Sequence, residues 1–378
     1  MDFTLTDDQK MIQETASSFV KKDSPVERMR KLRDEPLGWD RAVWKQMGEL
    51  GWLGLALPEA AGGFGGTMID ASLLLEQFGT TLVPEPYVAS VVLGGMAVRH
   101  AGSDSQVREL CGPMIEGETS LALAWAERQG RYDAFDVSTE AEKRGDAYVL
   151  RGQKVWALNG HAADHLIVSA RTSGERRDRE GVSLFVVPKG AKGLGVESLR
   201  TMDGGRAARI TLEGVEAQLL GEPGAGADVL ELVLDKAAAA SCAEGLGVVT
   251  RALWMTVEYL KTRKQFGVPI GVFQALQHRA VDMFVQVELM KGASILANAQ
   301  ADHADADVRR RAVSAAKAQL TSGGFFVVAQ ATQLHGGVGV TDEHDISLYF
   351  KRLRVLAALF GDEQHHVERF MSLPSFST

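Results

Sequence analysis

The sequence predicts an α+β protein in three successive parts: helices over residues 1–118, a β domain of barrel or sandwich type over 119–222, and a helical bundle over 223–378. Three observations carry this. Apolar residues recur at helical intervals up to about residue 118. Strand-like runs separated by turns begin near Leu121. Helical spacing returns at about Gly226 and lasts to the end. At 378 residues, 45% hydrophobic and 24% charged, the chain has the length and composition for a sizeable core.

The first part opens on Thr6-Asp7-Asp8-Gln9, a capping box in which the Thr6 hydroxyl and the Gln9 amide satisfy orphan N–H groups. Met11, Ile12, Thr15, Ala16, Phe19 and Val20 follow at helical spacing. A second helix is expected near Asp40–Gly51, with Val43, Trp44, Met47 and Leu50 on one side. After a glycine-rich loop, Leu57–Gly66, two more are expected at Ile69–Gly79 and Pro86–Ala101. In the second part the runs beginning at Leu121 (LALAWAE), Asp146 (DAYVLRGQKVWALNG), His165 (HLIVSART), Val182 (VSLFVVP) and Ala208 (ARITLEGV) read as strands. Glu175–Glu180 (ERRDRE) reads as a solvated hairpin loop. In the third part apolar residues repeat at helical intervals from Leu230 to Val257. Long helices near Val272–Asp302 and Asp305–Gln333 follow, and their wide apolar faces suggest a bundle that also makes subunit contacts.

A net charge of −8 argues against nucleic-acid binding. The longest apolar run, Val88–Ala97, is interrupted by glycines and is too short for a membrane span. The start, MDFTLTDDQK, lacks the basic-then-apolar layout of a signal peptide. Cys111 and Cys242 lie far apart without metal-ligand spacing, so a cytoplasmic protein with free thiols and no metal is expected.

Three strings bear on chemistry. Lys261–Gln274 (KTRKQFGVPIGVFQ) joins two long helices through Gly267, Pro269 and Gly271. Its cations Lys261, Arg263 and Lys264 suit a helix C-terminus and equally a phosphate. Gln333–Val340 (QLHGGVGV) is a glycine-rich turn behind a long helix, by itself no more than a helix cap. Gly152–Gly160 (GQKVWALNG) sets Trp156 in a strand, where tryptophan is ordinarily core.

Together these strings resemble the acyl-CoA dehydrogenase family, whose motifs Gly-x-Lys-x-Trp-Ile-Thr-Asn-Gly, Arg-x-Gln-Phe-Gly-x-Pro-Ile with Phe-Gln, and Gln-x-x-Gly-Gly-x-Gly appear here in family order over nearly the whole chain. Pro58–Gly63 is similar to the family's Pro-Glu-x-x-Gly-Gly loop. The resemblance implies an N-terminal helical domain, a middle β domain and a C-terminal four-helix bundle, with FAD as cofactor. It assigns Arg263, Gln265, Phe266, Gln274, Gln333, Gly336 and Gly337 to the diphosphate of an FAD held mainly by the neighbouring subunit. It places Glu127, Gln129, Trp156 and Leu158 on the isoalloxazine side. Leu158 stands where the family usually has Thr, so the hydroxyl that would meet flavin N5 is missing. Ala126–Asp133 (AERQGRYD) stands where the family has Thr-Glu-Pro-x-x-Gly-Ser-Asp. Glu127 and Asp133 match, while Arg131 and Tyr132 enlarge the loop and are assigned, with Phe360, to the substrate. Arg131 is read either as a partner for a distal carboxylate or as a solvated or interface residue.

Dehydrogenation of a thioester needs a carboxylate for the α-proton while the flavin takes the β-hydride. The family places a Glu before a Gly near the chain end, or 26 residues before the motif arginine. Here those positions hold Phe360 and Ala237. Asp362 is the nearest carboxylate to the first and is the candidate base; with Gln364 it is also assigned to the cofactor. Asp235, near the second, is the alternative. The Phe360 N–H remains able to polarise the thioester carbonyl. His365 and His366 point in different directions on a helix and read as surface or interface residues. The pattern is most similar to family members built from two unlike subunits, the pimeloyl-CoA dehydrogenase small-subunit group among them. It implies an acyl-CoA substrate, an electron-transfer flavoprotein as acceptor, and a homotetramer or a heterotetramer with a related subunit. A base-less partner chain, and a flavin oxidase or monooxygenase on the same scaffold, are the alternatives.

Overall fold

The computed structural model describes residues 4–145 and 147–374. Met1–Phe3 and Asp146, the first residue of the second strand run, lie outside them. The helical first part comprises α1 (Asp7–Lys22), α2 (Val26–Leu32), α3 (Arg41–Glu49), α4 (Met68–Thr81), α5 (Met96–Ala101) and α6 (Asp104–Ile115). The capping box forms as read: Thr6 Oγ1 accepts from the Gln9 N–H at 3.2 Å and Gln9 Oε1 from the Thr6 N–H at 3.1 Å. A second box, Ser103 with Gln106, starts α6, which apolar spacing alone did not mark. The helix expected over Pro86–Ala101 is π-wound at Val88–Gly95 before it becomes α5. Its backbone lies against the first strand: a Cβ on Gly94 would come within 2.5 Å of the Leu121 Cβ.

The strands are β1 (Leu121–Ala124), β2 (Glu140–Arg144), β3 (Ala147–Leu158), β4 (His165–Arg171), β5 (Val182–Pro188), β6 (Leu194–Arg200) and β7 (Arg206–Leu220). Antiparallel pairings β2–β3, β3–β7, β7–β5 and β5–β4, with a parallel contact of β2 to β4, close a ring; β1 adds to β4 and β6 to β7. This is a barrel, filled by Leu150, Val168, Phe185, Ile210, Leu212 and Val215. Sequence reading missed β2 and β6 because both are largely exposed and polar, so no apolar alternation marks them.

The third part holds α7 (Gly226–Thr262), a hairpin of β8 (Lys264–Gln265) and β9 (Val268–Pro269), α8 (Gln274–Gln300), α9 (Ala306–Gln319), α10 (Phe325–Leu334), α11 (Ile346–Ala358) and α12 (Glu363–Met371). The single helix expected at Asp305–Gln333 is α9 and α10 joined by a π turn, Leu320–Gly324. By internal contacts the chain forms two compact units. One is Met1–Arg30, Met68–Val83 and Ala238–Thr378; the other is Lys31–Thr67 and Pro84–Ala237. α1 packs on α4 in the first, and the barrel with α3, α5 and α6 lies in the second. Among the described residues no helix is long and apolar enough to cross a membrane.

Candidate functional site

In the barrel unit, β3 pairs with β7 through a bulge: Lys154 faces Ile210 and Ala157 faces Ala208, so Val155 and Trp156 share one opposing residue. Trp156 takes φ +55° and is 54% exposed, which turns a residue type ordinarily found in the core out to solvent. The Val155 N–H donates to the Ala126 carbonyl at 2.9 Å, bringing the bulge beside the Ala126–Asp133 loop. Leu158, half-buried, pairs with Ala207. Asn159, at φ +57°, accepts from the Trp39 indole at 3.1 Å and pins the end of the strand.

Glu127, placed on the isoalloxazine side by the resemblance, turns its side chain inward. Its side chain is buried against Lys154 Nζ at 2.6 Å and accepts from Thr139 N (3.0 Å), Thr139 Oγ1 (2.7 Å), Ser138 N (2.9 Å), Ser138 Oγ and Gln129 Nε2 (2.7 Å). The carboxylate is therefore an internal anchor with every lone pair engaged, and Gln129 faces that anchor. Burial pushes the Glu127 pKa up, but the Lys154 charge and the hydrogen bonds from Lys154, Ser138 and Gln129 outweigh it and bring it down to about 2.

Arg131 is exposed at φ +49°, a left-handed conformation on the position of the family's glycine; Tyr132 is half-buried next to it. The loop's far end is stitched to the β4–β5 connection. Buried Asp136 takes Arg176 at 2.9 Å and Arg177 at 3.1 Å, and Arg171 donates to the carbonyls of Phe135, Val137, Arg176 and Asp178. The ERRDRE segment is thus a fastener for that loop as well as a hairpin connection.

In the helical unit, Phe266 (φ +55°) and Gly267 (φ +82°) form the two-residue turn between β8 and β9, an arrangement matching a type I′ hairpin. Phe266 is 91% exposed at its tip, and Arg263, Gln265 and Gln274 are exposed beside it. One turn before Arg263, Tyr259 stacks on His335 with ring centroids 4.4 Å apart, and His344 lies 4.6 Å from His335. His335 immediately precedes Gly336, so this stack joins the cationic hairpin to the glycine turn. Gln333, Gly336 and Gly337 are exposed, and a Cβ at either glycine would meet nothing within 4 Å. An exposed arginine and an open glycine backbone, linked through this stack, suit a diphosphate.

The same unit carries the Phe360 turn. Phe360 has φ +60° and Gly361 φ +114°. Lys317, fully buried on α9, donates to the carbonyls of Leu356 (2.7 Å) and Leu359 (2.8 Å). Asp362 is exposed and caps α12, its Oδ1 accepting from the His365 N–H at 3.0 Å. Gln364 is exposed and bonds Glu368 at 2.8 Å. His366 is not a surface residue: it is 1% exposed and its Nε2 meets the Phe360 carbonyl at 3.0 Å. Ala237 and Asp235 are buried in α7. Lys317, His366 and Tyr259 were not singled out from sequence as parts of a site. Each lies in an unremarkable helical stretch, and only packing shows what it holds.

Residues 6–118, 122–215 and 224–371 match the family models described as the N-terminal, middle and C-terminal domains of acyl-CoA dehydrogenase. A curated relative, the probable acyl-CoA dehydrogenase YngJ of Bacillus subtilis (strain 168), is 30% identical over 98% of both chains. Among solved structures, a variant of the Tcur3481-Tcur3483 steroid ACAD shares 32% identity with a TM-score of 0.88, covering 98% of this chain and 99% of that one. The ChsE4-ChsE5 complex from Mycobacterium tuberculosis shares 28% identity with a TM-score of 0.87, covering 98% and 97%.

Proposed function

Because this chain belongs to the acyl-CoA dehydrogenase family, we propose that it is one subunit of an FAD-dependent enzyme that dehydrogenates an acyl-CoA thioester between its α and β carbons, with the proton-accepting carboxylate supplied by a related partner subunit. One observation carries this reading. Arg263 and Gly336, which the resemblance assigns to the diphosphate, are linked through the Tyr259–His335 stack, while both positions where the family carries its base are apolar here, Phe360 and Ala237.

FAD, when bound, supplies the hydride acceptor. Arg263 then offsets diphosphate charge, and Gln265, Gln274 and the Gly336–Gly337 backbone supply donors around it. The exposed Phe266 tip reaches toward a neighbouring subunit. Trp156, turned outward by the bulge, covers the isoalloxazine ring. Phe360 N–H has no acceptor among the described residues and polarises the thioester carbonyl, so that the α-proton is easier to remove. Arg131 and Tyr132 line the substrate side. The assembly is a heterotetramer in the cytoplasm, and an electron-transfer flavoprotein takes the electrons.

The test is the visible flavin band of the purified chain under anaerobic acyl-CoA addition. The wild-type chain alone is expected to stay oxidised, and Phe360→Glu, which restores a carboxylate, is expected to bleach. Full bleaching by the wild-type chain alone, abolished in Asp362→Asn, would reject the partner-supplied base and make Asp362 the base.

A further inference from the structure

The Phe360–Gly361 turn is held by more than its own chain geometry. Two consecutive residues lie at positive φ, and for Phe360, which carries a Cβ, the left-handed conformation is unfavourable. A strained turn at the end of a helix relaxes unless its surroundings over-determine it. Here they do so from two other helices. Lys317 on α9 fixes the carbonyls of Leu356 and Leu359, and His366 on α12 fixes that of Phe360.

The His366 tautomer follows from its partners. A backbone carbonyl only accepts, so Nε2 carries the hydrogen toward Phe360. Nδ1 is then an acceptor, and the Ser314 hydroxyl, 3.3 Å away, donates to it. Ser314 and Lys317 are three residues apart and therefore share a face of α9. Gly361 completes the fit: a Cβ there would approach His365 Cδ2 to 2.5 Å and His366 Nε2 to 2.6 Å, pushing the imidazole off the turn. The arrangement is a costly way to end a helix. Glycine with backbone hydrogen bonds is the ordinary solution, and it buries no ammonium group. What the added groups achieve is a fixed direction for the one backbone donor of Phe360, its N–H, since both flanking carbonyls are tied.

We infer that Lys317 and His366 are positioning residues for the acyl-CoA thioester, acting through the Phe360 N–H. The inference rests on the reading that this turn faces the thioester carbonyl. Rigid support of a donor is what lets it favour developing charge on the carbonyl oxygen over water.

The experiment uses the full chain loaded with FAD and, as probe, acetyl-CoA carrying ¹³C at the thioester carbonyl. Acetyl-CoA has no β-carbon to surrender a hydride, so it remains intact. Infrared difference spectra report the bound carbonyl stretch. In wild type it is expected to lie below that of free acetyl-CoA. His366→Leu should lose at least half of that displacement, and His366→Gln, whose amide can donate to the same carbonyl, should recover most of it. Ser314→Ala, a small change in case His366→Leu folds poorly, should lose part of it. Lys317→Met should behave like His366→Leu at equal flavin content. A displaced wild-type stretch that neither His366→Leu nor Ser314→Ala alters overturns the positioning role alone. A wild-type stretch identical to that of free acetyl-CoA overturns the thioester-facing reading of the turn, and this inference with it.

Discussion

Replacing Glu127 by Gln should destabilise the barrel unit by about 3 kcal/mol, although the residue lies in a loop. The carboxylate gathers six donors, and Lys154, its ionic partner, is fully buried. A drop in pKa from 4.5 to about 2 is worth about 3 kcal/mol at about 1.4 kcal/mol per tenfold change in proton affinity. Breaking a buried ion pair from one side costs about 3–5 kcal/mol, because the remaining charge is stranded, and the two figures agree. By thermal unfolding this amounts to a fall in Tm of roughly 6–12 °C. The sign with pH follows from a depressed carboxyl pKa. The contribution is complete above about 4.5 and is lost as pH falls toward about 2, so the gap between wild type and Glu127→Gln should close over that range. Removing Lys154 as well, as Met, should cost less than the sum of the single changes. A Glu127→Gln protein within about 1 kcal/mol of wild type at neutral pH would refute the account.

Other outcomes follow from the same geometry. Gly361→Ala meets both a positive φ and a clash with His365 and His366, whereas Gly62→Ala meets only φ +90° with nothing within 4 Å. Denaturant titration should show the first losing at least twice the roughly 1 kcal/mol expected of the second. Tyr259→Leu removes the stack on His335, worth about 0.5–1.5 kcal/mol, and should lower FAD occupancy of the purified protein several-fold; unchanged occupancy would count against the stack as the link between the two turns proposed to hold the cofactor. Burial, with Lys317 and His365 nearby, depresses the His366 pKa to about 2, so its contribution is present above about 6.5 and declines as pH drops below it. His366→Gln should accordingly show a shallower fall of Tm between pH 6.5 and 5 than wild type, a window above that of Glu127.

Some of this protein was legible in the residue order. The Thr6–Gln9 cap, the long helices and the apolar strands all rest on local periodicity, which one segment carries by itself. The resemblance to the family's motifs marked the Arg263 hairpin and the Gly336–Gly337 turn. It also showed apolar residues, Phe360 and Ala237, at both positions where the family carries its carboxylate. Tertiary structure alone decided which side chains were free to act. Glu127 occupies a cofactor-loop position by sequence, yet Lys154, 27 residues on, draws its carboxylate inside. Asp362 was visible in the sequence as a carboxylate near Phe360, and only the fold shows it capping α12. His366 read as a surface or interface residue until the turn six residues earlier folded its carbonyl onto the ring. β2 and β6 left no apolar pattern because their backbones are ordered by neighbours and their side chains mostly face water. The dividing line has a physical cause. Periodicity and turn chemistry are short-range and are written in consecutive residues, whereas the state of a polar group depends on which distant donors reach it after the chain has packed.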